Sequence, residues 1–369
     1  MTDTKLKIAI IGASTGQECL YRKAKEMGLY VMGFACDKGV LKPDMYDEFH
    51  EISVTETDAI VDICRKSNVD GVLTNASEFL MPIASEIAER LGLTCTPSKT
   101  IQRIQNKKLV RELTEGIDGL SFPKHYLYPQ ASFSTFPCVV KPIKGASKKG
   151  VSFCMDKKNF EDAIRYALDG NTDILVEEYI PGREVSVETL SFNGNHNVVQ
   201  ITDKDSSGPP HFVELGHHQP SSLSESVKSR IRVCIERILN RVGFENGASH
   251  IEMKYDTVND RLFLIEINCR GGGDHISDTL VGLSTDCDYI REMINISLGN
   301  YTDRHFHNTA YSGICYLSRQ NQRIMKYFAQ PTPDWIVTSE RINEQLTEST
   351  SNYDRDGFFI YKSAQPIDL

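Results

Sequence analysis

The first hundred residues alternate short apolar runs with segments of helical polarity. Lys5–Gly12 is an apolar run closed by glycine, and Tyr30–Ala35 and Gly71–Thr74 are strand-like. Between and after them, Gln17–Met27, Thr57–Lys66 and Glu78–Leu91 read as helices; Ile83, Ile87 and Leu91 fall at i, i+4 and i+8. Strands alternating with helices predict a parallel sheet covered on both faces, a Rossmann-like arrangement. The loop after the first run, Gly12-Ala13-Ser14-Thr15-Gly16, offers only Gly-x-x-x-Gly. The dinucleotide fingerprint needs Gly-x-Gly-x-x-Gly, so a nicotinamide site is disfavoured even though Asp37 stands where a ribose-binding acid would.

Pro97-Ser98 opens a second region, with helical Ser98–Asn106 and Lys107–Glu115 stopped by Gly116. Phe136–Pro142 and Val151–Met155 then read as strands joined by Ile143–Gly150, followed by a helix over Asn159–Leu168 and a strand over Ile174–Ile180 that runs into Pro181-Gly182. Val185–Leu190 and Val198–Thr202 are further strands, and Asp203–Ser222 is a polar, proline-containing stretch. Glu225–Val242 carries Val227, Ile231, Ile235, Ile238 and Val242 on one helical face, and two strands follow at His250–Asp256 and Arg261–Asn268. Beyond about Asn300 the pattern weakens, with strand signals at Ala310–Leu317, Trp335–Thr338 and Phe358–Tyr361.

Composition adds exclusions. In 369 residues, 40% are hydrophobic and 25% charged, the balance of a globular chain rather than a disordered one. Lys and Arg number 41 against 50 Asp and Glu, a net charge of −9, which argues against a nucleic-acid partner bound along its backbone. No apolar stretch approaches a membrane span or a secretory leader, so no membrane partner is expected. The ten cysteines are scattered without a Cys-x-x-Cys pair, which fits small core hydrophobes in a cytoplasmic protein.

Three segments carry chemistry. The first, Lys141-Pro-Ile-Lys-Gly-Ala-Ser-Lys-Lys-Gly150, spaces two glycines like a phosphate loop but lacks the Lys-[Ser/Thr] ending and precedes a strand. A lysine-rich glycine hairpin still gives a polyphosphate backbone donors and positive charge. Lys141 ends an apolar strand, and a buried lysine needs an anion. The second, Leu175-Val-Glu-Glu-Tyr-Ile-Pro-Gly-Arg-Glu184, sets Glu177 and Glu178 before a short linker and Glu184 after it, acids suited to an exocyclic amine and a ribose diol. The third runs from His250-Ile-Glu-Met-Lys-Tyr-Asp to Glu266-Ile-Asn-Cys-Arg270-Gly-Gly-Gly-Asp-His275. Side chains alternate along a strand, so Glu266 and Asn268 share a face. A short Val258-Asn259-Asp260 loop gives opposed residues an even index sum, which adds Glu252 to that face. Two carboxylates and an amide oxygen are hard ligands suited to Mg²⁺. Arg270 and Gly271–Gly273 follow, offering a cation and open backbone donors to a developing oxyanion.

Lys107, Lys141, the basic hairpin, Glu177–Glu184, Glu252 and Glu266-x-Asn268-x-Arg270-Gly-Gly together resemble, in order and spacing, the ATP-grasp superfamily of carboxylate–amine ligases. Phe212-Val-Glu-Leu-Gly-His-His-Gln-Pro220 with the Gly-Gly-Gly-Asp-His ending is most similar to the branch containing L-amino acid ligases. The resemblance implies a mixed fold, α/β and α+β: a Rossmann-like domain over 1–97, an ATP-grasp domain over 98–300 with a lid subdomain at about 121–185, and a small β-rich closing region over 301–369. It implies ATP and Mg²⁺, two ions being expected and Mn²⁺ an alternative. By position, Lys107, Lys141 and Ser147 would meet the phosphates. Glu177 or its neighbour Glu178 would meet the adenine amine, the Tyr179–Ile180 backbone the ring edge and Glu184 the ribose. Glu252, Glu266 and Asn268 would hold metal. Arg270 would stabilise an acyl phosphate, with Lys141 as the second catalytic group, and Glu214, His217, His218, Arg270, Gly272 and Gly273 would line the substrate pocket. The partners implied are a small-molecule carboxylate and an amine, and a homodimer is the expected assembly. Other readings are a sugar acid, a biosynthetic intermediate or bicarbonate as the carboxylate, and a non-catalytic ATP-binding regulator.

Overall fold

In a computed structural model, residues 5–129, 135–144, 149–169, 173–329 and 331–369 are described. The alternating N-terminal pattern folds as expected. Strands β1 (Lys7–Ile11), β2 (Tyr30–Ala35), β3 (Glu48–Glu51) and β4 (Gly71–Leu73) form a parallel sheet in the order β3-β2-β1-β4. Helices α1 (Thr15–Glu26), α2 (Thr57–Ser67) and α3 (Leu80–Leu91) accompany it. Ile60, Val61, Cys64, Ile87 and Ala88 pack on one side of the sheet against Ala9, Ile11, Met32 and Phe34. β3 is absent from the sequence reading because an edge strand reading Glu-Phe-His-Glu has no apolar run to betray it.

Helices α4 (Ser98–Ile104) and α5 (Lys107–Thr114) follow, the latter capped by Asn106, whose Oδ1 accepts from the Leu109 amide at 3.1 Å. A second, antiparallel sheet has the order β5-β8-β6-β7, built from β5 (His125–Tyr128), β6 (Cys138–Pro142), β7 (Ser152–Cys154) and β8 (Ile174–Glu178). Helix α6 (Phe160–Leu168) packs Ala163, Ile164 and Ala167 on it.

The largest sheet has eight strands. Its first five are β9 (Arg183–Phe192), β10 (Asn195–Ser206), β11 (Glu214–Gln219), β12 (Gly247–Asp256) and β13 (Arg261–Asn268), with α7 (Glu225–Val242) between β11 and β12. A π-helical turn over Ile276–Leu280 leads to α8 (Val281–Ser284) and α9 (Tyr289–Ser297), and β14 (Tyr311–Leu317), β15 (Ile336–Arg341) and β16 (Gly357–Ser363) complete the sheet in the order β13-β12-β9-β10-β11-β14-β16-β15. The final seventy residues therefore extend this sheet through the β11–β14 pairing. The polar stretch over 203–222 is also more ordered than its composition suggests: β10 runs on to Ser206 and β11 carries Glu214–Gln219, because each pairs on both sides.

One face of this sheet buries Val185, Val187, Ile201, Ile251 and Met253 against the apolar side of α7. Ser186, Glu188, Thr202, Lys204, His250 and Glu252, alternate residues of the same strands, face the other way, and they are polar. Among the described residues, no helix is long and apolar enough to cross a membrane.

Candidate active site

The β12–β13 hairpin reaches the expected register by an unexpected route. Asp256 fastens its turn, accepting from the Val258 and Asn259 amides at 3.0 and 3.1 Å. Next to the turn the pairing is odd, with Asp256 opposite Arg261 and Met253 opposite Leu264. A β-bulge then leaves Ile265 without a counterpart, and beyond it Glu252 stands opposite Glu266 and His250 opposite Asn268. The bulge, not the loop length, brings Glu252 onto the face of Glu266 and Asn268.

On that face each acid has a cation. Lys107, at the start of α5, puts its Nζ 2.8 Å from Glu266. Lys204, on β10, lies 2.9 Å from Glu252, 3.1 Å from Glu184 and 3.2 Å from Glu214, with 2% of its side chain exposed. Burial pushes the Glu252 carboxyl up, but Lys204 and His250 outweigh it and hold the group well below the usual carboxylate range. Asn268 is buried, and its amide makes no hydrogen bond among the described residues. Two carboxylates and an uncommitted amide on one face fit the oxygen ligation of Mg²⁺.

Beside this face is a buried basic group. The Glu177 carboxylate accepts from Arg111 Nε at 2.7 Å and from the Lys141 ammonium, and all three residues are at most 6% exposed. Burial alone would raise Glu177; Arg111 and Lys141 override it and hold the carboxyl at about 2. Lys141 is pushed down by burial and by the Arg111 and Lys107 charges, against the upward pull of Glu177. Two cations facing one carboxylate leave one positive charge in surplus, a place prepared for an anion.

The β8 register decides between the two adjacent acids. Glu177 shares the face of Lys141 and points inward, whereas Glu178 is half-buried and accepts from the Lys124 amide at 3.3 Å. The linker to β9 carries an aromatic group. Tyr179 stands 5.0 Å from Phe153 and 5.9 Å from Phe212 between ring centroids, with Lys254 Nζ 4.8 Å over its own ring. Lys254 also donates to the Ile180 carbonyl at 3.1 Å. Ser147 lies outside the described residues.

A third group lies at the β11 end. His217 is buried, its Nε2 3.4 Å from Glu214 and 3.5 Å from Asp274, and Nδ1 has no partner among the described residues. Burial lowers the imidazole and the bonds to Asp274 and Glu214 raise it, with a net upward shift. Arg355, from the β15–β16 connection, pairs with Asp274 at 2.8 and 3.0 Å and stacks 3.4 Å from the Tyr316 ring centre. His218 is not part of this group. Alternation along β11 sends it to the opposite face, where it bonds Tyr361 at 2.9 Å and Asp205 at 3.2 Å.

The glycines after β13 also differ from expectation. The Gly271 amide donates to Asn75 at 3.1 Å and the Gly272 amide to Glu188 at 3.0 Å, so neither is an open donor. A Cβ on Gly271 would meet Ser277 at 2.7 Å, and one on Gly272 would meet His250 at 2.7 Å; Gly273 has open space. Arg270 donates through Nε to Glu78 at 2.9 Å and through Nη1 to the Gly271 carbonyl.

Residues 134–278 match the family described as ATP-grasp domain. The chain carries an ATP-grasp domain. The matched segment takes in Lys141, Glu177, Glu184, Lys204, Glu252, Glu266, Asn268 and Arg270. The whole fold is similar to the crystal structure of L-amino acid ligase from Bacillus licheniformis, with a TM-score of 0.81 at 22% identity over 99% of this chain and 95% of that one. In sequence the chain is similar to D-alanine–D-alanine ligase of Fervidobacterium nodosum, 26% identical over 44% of this chain and 52% of that protein. It is also similar to formate-dependent phosphoribosylglycinamide formyltransferase of Erythrobacter litoralis, 25% identical over 58% and 54%. The matches span about half the length of these two relatives.

Within the ATP-grasp fold, residues that the sequence reading passed over hold those it chose. Arg111 lies four positions after Lys107, on the same side of a helix already read correctly, and that spacing was a usable signal. Glu78, Asn75, Lys204 and Arg355 gave none, since each meets its partner only through tertiary folding.

Proposed function

We propose that this protein is an ATP-dependent ligase that joins a carboxylate to an amine through an acyl phosphate, releasing ADP and phosphate. The observation that carries this reading is the 2.8 Å contact between Lys107 and Glu266, which sets the surplus-positive group of Arg111 and Lys141 directly beside the oxygen-donor face. A polyphosphate fits that boundary, with its charge met by lysines on one side and by a metal held on acids on the other.

In this reading Lys107 and Lys141 bind phosphate oxygens, together with Ser147. The surplus charge near Lys141 is then satisfied, and Arg111 keeps Glu177 in place as its counter-ion. With Glu177 so engaged, the adenine amine falls to the backbone of the Glu178–Ile180 linker, the ring lies against Tyr179, Phe153 and Phe212, and Glu184 takes the ribose. Mg²⁺ on Glu252, Glu266 and Asn268 would neutralise phosphate charge and align the transferred group. Arg270, fixed by Glu78, is directed at the charge that develops on the carboxylate substrate as phosphate is transferred and later expelled. The Glu214 and Asp274 carboxylates, on either side of His217 and beside the Arg355–Tyr316 stack, are the groups assigned to the amine.

Incubation with Mg-ATP and pools of amino acids, other carboxylates and amines tests this directly. ADP and phosphate released only in the presence of a particular pair supports the ligase. Tight nucleotide binding without turnover across such pools sinks it in favour of a binding protein.

A further inference from the structure

We propose that Lys204 is a positioning residue that ties the acids assigned to ribose, metal and amine into one unit, so that the ligands of those three sites bind interdependently. This rests on the ligase reading above, which gives the three acids their tasks.

An ammonium has three N–H donors and no acceptor. Lys204 turns it toward three carboxylates that arrive from three different strands: Glu184 from β9 at 3.1 Å, Glu252 from β12 at 2.9 Å and Glu214 from β11 at 3.2 Å. Donors and acids match in number, and the ammonium is almost completely buried, so it has no water to fall back on. The other cations nearby do not replace it. Of the three acids, Lys254 lies within 4 Å of Glu184, at 3.9 Å, and it donates to the Ile180 carbonyl at 3.1 Å. His250 reaches only Glu252, at 3.5 Å, and is held by Glu188 through its other nitrogen.

One ammonium is divided among three acids, each of which has a more distant second cation: Lys254 for Glu184, His250 for Glu252 and His217 for Glu214. A metal that draws Glu252 away leaves Lys204 more strongly bound to Glu184 and Glu214; an ammonium that draws Glu214 away leaves it more strongly bound to the other two. Each ligand thereby changes the charge felt at the other sites, which is a coupling free energy in the sense of linkage. A lysine that merely touched phosphate would affect nucleotide binding alone.

A double-mutant cycle on the full chain tests this, with the Kd of Mg·ADP measured calorimetrically for wild type, Lys204→Met, Glu214→Gln and the double variant, and folding checked by circular dichroism. Glu214 lies in the amine pocket, yet Glu214→Gln is expected to weaken Mg·ADP at least threefold, and the two substitutions are expected to be non-additive by threefold or more. Independent, multiplicative effects, or a Lys204→Met variant with unchanged affinity, would overturn the proposal. If Lys204→Met does not fold, the same cycle with Lys204→Arg decides: the larger, planar guanidinium does not reproduce the compact tetrahedral ammonium between the three acids, and a non-additive result is again expected. A wild-type protein that fails to bind Mg·ADP overturns the ligase reading and this inference with it; binding with an additive cycle overturns this inference only.

Discussion

Glu78 accepts a hydrogen bond from Arg270 Nε at 2.9 Å, joining residues 192 positions apart. Gln105 supports the acid from the other side, donating to its carboxylate at 3.2 Å. Asn75, from the same loop, takes the Gly271 amide. The loop after β4 thus sets the orientation of Arg270, the arginine proposed to meet the charge developing on the substrate. Glu78→Gln is expected to lower kcat by about tenfold to a hundredfold, as loss of orientation does, with the KM for ATP changed less than about threefold. Steady-state kinetics check the split; a rise in the ATP KM with kcat intact would contradict it.

Glu266 has a different proposed role, since it belongs to the oxygen-donor face assigned to metal and also pairs with Lys107. Glu266→Gln keeps the shape and removes the charge, and turnover should fall by on the order of a hundredfold or more at saturating Mg²⁺. The unfolding midpoint should move little because Glu266 is partly exposed. Turnover that survives would show the metal assignment to be wrong.

Acid should loosen the buried ion pairs in a defined window. The Glu177 carboxyl lies at about 2 in the folded protein, below its unfolded value of about 4.3, so the folded state binds fewer protons. Its contribution is complete above about pH 4.5 and is lost as pH falls toward 2, amounting to roughly 3 kcal/mol. Urea unfolding between pH 6 and pH 3 should show the decline. Glu177→Gln should be less stable at pH 6 and flatter with pH across that window.

Gly182 sits in the linker between β8 and β9 with φ +130°, and an added Cβ would lie 2.3 Å from the Tyr255 carbonyl oxygen. Gly182→Ala must displace either backbone. A loss of about 1–3 kcal/mol is expected by chemical denaturation. Nucleotide affinity should fall with it, since Tyr179 and Glu184 flank the linker.

The alternating elements of the first hundred residues were legible because buried parallel strands and amphipathic helices leave strong periodic signals. The line of acids and lysines was legible too, as order and spacing along the chain. His217 and His218 show the limit. They are neighbours in sequence, yet only one faces the site, and the polar strand that separates them carries no apolar alternation to reveal its phase. Arg355 and Glu78 show a second limit, for a residue's counter-ion is a fact of tertiary distance that spacing along the chain does not encode.

The bulge at Ile265 also insulates the site from its own hairpin. By absorbing the odd phase of the turn, it lets the tip over 257–260 follow one register and the acids another. The carbonyl it frees from the ladder is taken by Arg111 Nη2 at 3.0 Å, so the phase shift is clamped by the same guanidinium that holds Glu177. A residue gained or lost at the exposed tip can therefore be accommodated locally. Deleting Ile265 would instead leave Glu252 opposite Glu266 in a regular ladder, but it would take away the carbonyl on which Arg111 Nη2 closes, and with it the link between this hairpin and Glu177.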